Sequence, residues 1–168
     1  MAEYGYLKVE AGGSAIEGSC TDKGFEKQMI LYAYDQLSFF NFDDVQGATT
    51  SNQHSQPVAC VLKLDESAPE LLKAFRKSAP CKVTMSLTMK DKSGAKGTYF
   101  TVLLENARVV SWRIALPHAA KREFQELPHS LEVAFSFEKT TVTHEKISST
   151  SKDHPKKMDT YEFRNPTA

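Results

Sequence analysis

Hydrophobic and polar residues alternate with a period of two along most of the chain, which is typical of half-buried β-strands. The clearest case is Leu131, Val133, Phe135 and Phe137, which alternate with polar or small residues. Similar alternation, or a high density of Ile, Leu, Tyr and Phe as at 27–40, predicts strands at residues 4–10, 27–40, 58–64, 83–89, 100–116 and 140–147, with a last short strand near 158–163. The second of these, at 27–40, is expected to be long and bent. Strands with one apolar and one polar face predict two packed sheets or a closed barrel.

The long strand at 100–116 contains an interruption. Its apolar residues share one parity: Phe100, Val102, Leu104, Val110, Trp112, Ile114 and Leu116. Asn106 and Arg108 break that face. The pattern therefore predicts a bend or β-bulge at this point.

One segment has the local chemistry of a helix. Ser67 is expected to cap the first turn and to form a capping box with Glu70, and Pro69 is tolerated in a first turn. An apolar stripe is expected from Leu71, Leu72 and Phe75. Pro80 disfavours further helix, so the helix is predicted at about 67–79. We therefore predict a mainly β fold, a two-sheet barrel or sandwich with one flanking α-helix.

Polar segments separate these elements. Residues 11–24 are rich in Gly and Ser, 91–97 predict a hairpin loop, and 117–128 and 148–157 predict polar connections. Residues 41–56 are polar, contain one Gly and lack periodicity, so we expect an extended exposed loop. The length suits one domain, residues 1–168.

Composition excludes several classes of protein. Lys plus Arg equals Asp plus Glu, 21 each, so no global positive field favours nucleic acid. Cys20, Cys60 and Cys81 are widely spaced without a CxxC motif, which argues against a disulfide framework or zinc site and favours buried thiols in a cytosolic protein. The N-terminus lacks the features of a secretory signal, and no window reaches the ~20 apolar residues of a membrane span.

No motif predicts catalysis, a metal or a cofactor. Residues 92–98, KSGAKGT, lack the spacing of a phosphate-binding loop and are expected to form a turn. The histidines His54, His118, His129, His144 and His154 are scattered, without metal-ligand spacing. No GxSxG motif favours a hydrolase. Trp112 with Tyr4, Tyr6, Tyr32 and Tyr34 could form a platform on which a base or sugar stacks. Aromatic residues in strands are, however, more often core or interface residues.

The order of the elements resembles that of the haemolysin-coregulated protein (Hcp) family, the tube proteins of bacterial type VI secretion. The similar stretches are residues 4–10 with Ile16-Glu17-Gly18-Ser19, then 62–75, 99–112 and 127–144. The chain departs from the family at Gly18-Ser19-Cys20, where Gly-Glu-Ser is common. Residues 41–56 and 117–126 carry no match.

The resemblance implies a structural role without catalysis. Family members form six-membered rings with a central channel, and the rings stack into a tube. A contractile sheath surrounds the tube, a spike sits at its tip, and the channel can shelter effector proteins. The implied protein is made in the bacterial cytoplasm and secreted without a signal peptide, with no nucleic acid and no membrane insertion.

Two features of the sequence accommodate such an assembly. One fold can supply a contact that closes a ring and another that repeats without limit. Strands with Thr, Ser, Lys and Glu on one face can line a wet channel. We further hypothesise that the polar loop at 41–56 mediates ring stacking; its candidate residues are Asn41, Asp43, Asp44, Gln46, Thr49, Asn52 and Gln56.

Two alternative functions are also compatible with the sequence. The main alternative is a monomeric β-barrel that binds a small apolar ligand in its interior. The second is an enzyme that uses dispersed Ser, His or carboxylate groups, which a cluster of groups with shifted pKa values in a cleft would support.

Overall fold

The computed structural model describes residues 4–43, 48–90, 96–117, 120–121, 128–145 and 157–162, with only the backbone at 41–43 and 48–52. The strands are β1 Gly5–Ala11, β2 Ser14–Ile16, β3 Met29–Asp35, β4 Ser38–Asp43, β5 Ala48–Ser55, β6 Val58–Lys63, β7 Cys81–Lys90, β8 Lys96–Ala115, β9 Ser130–Ser136, β10 Lys139–His144 and β11 Lys157–Glu162. Helix α1 is Ser67–Arg76. The mainly β fold with one helix is therefore confirmed.

Six antiparallel strands close into a barrel in the order β8-β7-β1-β3-β6-β9, and β9 returns to β8. The first half of β8 also pairs with β10, and β10 pairs with β11, so a two-stranded wing extends the sheet beside the barrel. Strand β2 pairs with the end of β1. Gly12 and Gly13, both with positive φ, form the turn between them, and the sequence reading had missed this short strand.

The barrel interior is filled by side chains. The largest fully buried ones are Tyr6, Phe135, Leu7, Met29, Leu62, Leu71, Met85, Leu104, Leu131, Val9, Val58 and Val83. Tyr6 differs from the others because it does not belong to the core cluster. It lies on the opposite side of β1 from Leu7 and Val9, which do belong to it. Each buried aliphatic or aromatic side chain contributes roughly 1.5 to 3 kcal/mol.

The predicted interruption in β8 is confirmed, and its effect is larger than expected. The register shifts opposite Cys81 and Val83, and Asn106 adopts φ 49°. Ala107 and Val109 then face the core, and a second shift follows between Val109 and Ser111. Val110 lies at that second bulge and is 44% exposed, so its predicted place on the apolar face was wrong.

The prediction of helix α1 is confirmed, but its predicted ends and buried face need correction. The N-cap is Glu66 and makes no side-chain cap hydrogen bond. Asp65 instead accepts hydrogen bonds from the Ser67 backbone N–H (2.9 Å) and hydroxyl (2.5 Å). The capping box with Glu70 was therefore wrong, because Asp65 accepts the Ser67 backbone N–H that Glu70 would accept in a capping box.

The helix also ends earlier than 79. Ser78, at φ 48°, donates its backbone N–H to the Phe75 carbonyl, and Ala79 donates to the Ala74 carbonyl. This is a Schellman turn, which ends a helix before Pro80 is reached. The buried stripe consists of Ser67, Ala68, Leu71 and Ala74, whereas Phe75 is 39% exposed.

The two connections of β6 place different elements at opposite ends of the barrel. The hairpin of β4 and β5 enters β6 at Val58, and α1 follows β6 at Lys63. A six-residue strand spans about 20 Å. We call these the arm end and the helix end, and we call the β4–β5 hairpin the arm.

Candidate assembly surfaces

The arm is a separate two-stranded sheet. Ser38 pairs with Ser55 and Asp43 with Ala48, and neither strand pairs with the barrel sheet in the described part of the chain. The expected long strand at 27–40 is therefore two strands, divided between Asp35 and Ser38. The expected extended loop at 41–56 was wrong, because most of it forms β5 and the end of β4.

The arm has exposed aromatic side chains and almost no charge. Phe39 is 39% exposed and Phe40 is 52% exposed, and the Phe39 ring stacks on His54 with centroids 5.6 Å apart. Between residues 36 and 62, Asp43 and Asp44 are the only Asp, Glu, Lys or Arg residues, in a chain of which these four types make up 25%. A charge-poor strand pair that exposes phenyl rings is typical of a surface covered in an assembly.

The predicted stacking residues fall in three places. Asn41 and Asp43 lie in β4, and Thr49 and Asn52 lie in β5. Gln56 follows β5, is exposed and donates its backbone N–H to the Leu37 carbonyl at 2.9 Å. Asp44 and Gln46 lie outside the described residues. The role of these residues in stacking stays a prediction.

A second surface crosses the outer face of β1, β7, β8, β10 and β11. Cross-strand partners bring six hydroxyl residues onto it, which we name the hydroxyl face: Thr84, Ser86, Thr101, Thr141, Thr143 and Thr160. The hydroxyls of Thr141 and Thr160 lie 3.2 Å apart. At a strand spacing of about 4.8 Å, five strands make this face about 20 Å wide.

A row of alternating charge borders the hydroxyl face. Glu10 pairs with Lys82, Glu105 with Lys139, and Lys139 with Glu162. Lys139 Nζ lies 3.0 Å from the Glu105 carboxylate, and that hydrogen bond raises the pKa of Lys139. The hydrogen bond and charge of Lys8, 2.7 Å away, lower the pKa of Glu10. The face is therefore polar but electrically balanced.

The loop between β2 and β3 is held on the outer face by a latch. Lys96 Nζ donates to the Tyr6 hydroxyl and lies 3.1 Å from Asp22, and the Tyr6 hydroxyl donates to Asp22. The Phe25 ring stacks on Tyr6 with centroids 4.0 Å apart. Burial, followed by the Asp22 hydrogen bond, raises the pKa of Tyr6, so the hydroxyl stays a donor.

A third surface is the outer side of α1 at the helix end. A groove of about 320 Å³ is lined by Pro69, Leu72, Lys73, Arg76 and Lys77. Lys73 lies 3.8 Å from Glu70. None of the ion pairs found within the described ranges includes Arg76 or Lys77. The groove is apolar at its base and cationic at its rim.

The alternative readings find little support. All three cysteines are free and buried, and burial raises the pKa of the Cys60 thiol to about 12. Across the described ranges, no three His, Cys, Asp or Glu side chains converge as metal ligands would. No helix in those ranges has the length and apolar character to cross a membrane. The filled interior does not favour a ligand-binding barrel.

Two features of these surfaces do not follow from the alternation of apolar and polar residues. The row of charges depends on the register between strands that are distant in sequence, and alternation within one strand does not determine that register. The charge-poor stretch at 36–62 was visible in the sequence.

Comparison with known proteins agrees with this architecture. The family model described as type VI secretion system effector, Hcp, matches residues 6–144. A Major exported protein of Pseudomonas aeruginosa is 25% identical over 135 residues, which is 80% of this chain and 78% of that protein.

Solved structures show the same fold. The Hcp1 protein of E. coli EAEC 042 has 22% identity and a TM-score of 0.81, over 97% of this chain and 100% of its own. The secreted protein Hcp3 of Pseudomonas aeruginosa has 19% identity and a TM-score of 0.69, over 98% and 100%. The chain therefore belongs to the Hcp family of type VI secretion proteins.

Proposed function

We propose that this protein is a structural tube subunit that assembles into hexameric rings, and that the rings stack into the inner tube expelled by a type VI secretion system. The observation that carries this proposal is the arm, a charge-poor hairpin that makes no sheet contact with its own barrel in the described residues. An isolated two-stranded hairpin is marginally stable in water, so a neighbouring subunit is its natural partner.

The hydroxyl face supports a role in lining the channel. Its Thr and Ser hydroxyls can form hydrogen bonds with water in the channel. Its border of alternating acids and bases carries little net charge. Such a surface presents hydrogen-bonding groups to a cargo without holding it by a strong field. The proposed partners are further copies of the chain, the sheath, the spike and effector proteins in the channel.

The wing offers an edge for ring closure. On its outer side, β11 pairs with no other strand in the described ranges, and its residues Lys157–Glu162 are mostly exposed. An unpaired edge strand readily adds a strand or loop from another chain. A head-to-tail contact of this type closes into a ring.

No catalytic role is proposed, and residues 1–168 are proposed to act as one Hcp-like unit made in the cytoplasm and exported without a signal peptide. The name of a Pseudomonas aeruginosa relative, Major exported protein, supports export.

Mass and shape test the proposal. Size-exclusion chromatography with light scattering should give six times the 18.8 kDa of one chain, and negative-stain images should show rings with an open centre. A single-chain mass at high concentration would overturn it in favour of the monomeric barrel.

The arm is tested separately. Replacing residues 41–56 with a short Gly–Ser turn should leave the ring mass unchanged and abolish stacks in micrographs. Tubes that form as well as wild type would overturn the stacking role of the arm while leaving the ring proposal intact.

A further inference from the structure

We propose that the outer side of α1 is a contact between two copies of this chain, in which the two helices lie antiparallel and each copy uses the same residues. Such an isologous contact is complete once two copies have paired, so it does not extend further. It is independent of the proposed ring, which closes through head-to-tail contacts between unlike surfaces.

The first argument is the order of charges along the helix. Glu66 and Glu70 lie at its start, Lys73 and Lys77 lie at its end, and all four side chains are exposed. The two acids are separated by the same number of residues as the two bases. An antiparallel second copy therefore places Glu66 opposite Lys77 and Glu70 opposite Lys73. A parallel arrangement would place acids opposite acids, which is unfavourable.

Helical geometry brings these four side chains to one flank of α1. They occupy positions i, i+4, i+7 and i+11, which lie above one another on a helix surface. Their row is about 16 Å long. In an antiparallel pair related by a two-fold axis, the same flank of each helix meets at the contact. Lys73 Nζ lies 3.8 Å from the Glu70 carboxylate of its own helix, so the two copies together would form an alternating cluster of four charges at the centre.

The second argument is the apolar surface beside this row. Acids at the start of a helix and bases at its end also suit the helix dipole, so the order of charges does not by itself identify a contact. The outer side also carries Pro69, which is exposed, and Leu72, which is half-buried, and both line the groove of about 320 Å³. Phe75 is 39% exposed. A second copy of the helix would cover this apolar surface in both chains at once.

The size of the helix determines the strength of the contact. Helix α1 has 10 residues and is about 15 Å long, so two such helices bury less area than the roughly 1,200 Å² of a stable complex. We therefore expect the pairing to depend on protein concentration. It should also weaken as salt is added, because its ion pairs lie at an exposed surface.

A single cysteine tests the two-fold symmetry directly. Leu72 lies next to the centre of the row of charges, so the variant Leu72→Cys brings one thiol from each copy close together. A short bis-maleimide should join them into a species of twice 18.8 kDa on a denaturing gel. The chain's own three thiols are buried and give a low background. The matched control, Lys23→Cys, has an exposed thiol in the loop before β3 and should remain a single chain.

Charge-reversed variants of Leu72→Cys test the antiparallel register. Glu66→Lys with Glu70→Lys gives a basic row, and Lys73→Glu with Lys77→Glu gives an acidic row. Each variant alone should lower the crosslink yield by about tenfold or more, because like charges then meet along the whole row. The two variants mixed in equal amounts should restore the yield, because a basic row then meets an acidic one.

Both charge-reversed variants oppose the helix dipole, so thermal unfolding checks that each one folds. Lys73→Gln with Lys77→Gln avoids the reversal and should also lower the crosslink yield. A yield from Leu72→Cys no greater than that from Lys23→Cys would overturn the contact. A yield that the charge variants leave unchanged, or that mixing does not restore, would overturn the antiparallel pairing. The mass of the dilute protein tests the ring separately.

Discussion

The barrel and the arm are both built of antiparallel strands, yet the barrel buries its large hydrophobic side chains and the arm exposes them. In the barrel, Phe135 is fully buried among strands that pair on both sides. In the arm, Phe40 is 52% exposed on a strand with one partner. The barrel therefore buries its own hydrophobic side chains, whereas the arm leaves a large one exposed, where the proposed assembly would cover it.

This contrast separates two kinds of damage. Substitutions in the barrel should lower the free energy of unfolding of the single chain. Substitutions in the arm should leave that quantity almost unchanged and act on assembly. Stability and assembly can thus be measured as independent properties of one molecule.

The largest effect is expected for Phe135→Ala. Removing a fully buried phenyl group leaves a cavity in the barrel and should lower the free energy of unfolding by about 3 to 5 kcal/mol. Urea denaturation followed by Trp112 fluorescence measures the change.

Phe40→Ala is the matched control, since it removes the same side chain from an exposed site. Its effect on unfolding should stay within about 0.5 kcal/mol, while stacking should weaken. A loss comparable to that of Phe135→Ala would show that the arm packs on its own barrel.

An intermediate effect is expected for Asp65→Asn. Asp65 joins the loop before β3 to the start of α1, because it accepts hydrogen bonds from the Ser19 N–H (2.8 Å) and from Ser67. Hydrogen bonds to a charged group contribute about 1.5 to 3 kcal/mol. The exposed neighbour Glu66 gives the control, Glu66→Gln, which should leave stability unchanged.

The same carboxylate predicts a pH dependence. Burial raises the pKa of Asp65, but the hydrogen bonds from Ser67 and Ser19 outweigh it and leave the pKa below its ordinary value. A lowered folded pKa stabilises the protein above the unfolded value of about 3.9 and loses that contribution as the pH falls through the folded value. Urea midpoints of the wild type should therefore fall more steeply below pH 4 than those of Asp65→Asn, and parallel profiles would contradict this role.

Among the substitutions in the barrel and helix that should lower stability, the smallest effect is expected for Trp112→Phe. The indole Nε1–H of Trp112 donates to the Ala68 carbonyl at 3.1 Å and so ties β8 to the first turn of α1. Losing that hydrogen bond while keeping an aromatic ring should cost about 0.5 to 1.5 kcal/mol. Thermal unfolding by circular dichroism measures it, and an unchanged midpoint would mean that the ring alone holds the helix.

Strand β9 could be predicted because its environment repeats along the strand. Leu131, Val133 and Phe135 all face one core, so each residue reports the same face of the sheet. The core-facing side of β6 followed from the same logic. Local alternation is sufficient where a strand has one buried side and no bulge.

The arm and the hydroxyl face could not be predicted in the same way. Strand β5, ATTSNQHS, has no large apolar residue, so its sequence carries no period that distinguishes a strand from a loop. In β8, the bulges at Asn106 and Val110 exchange the two faces, and only the pairing with β7 and β9 shows where. The helix start depended on Asp65, a residue just outside the predicted helix.

Strand β8 belongs to both the barrel and the wing, and this has a mechanical consequence. Its first half pairs with β7 and β10, and its second half pairs with β9. A force along β11 therefore loads several backbone hydrogen bonds of the antiparallel pairs at the same time, in shear. They do not break one after another. In the proposed tube, force applied to β11 of one subunit would reach the barrel through these hydrogen bonds.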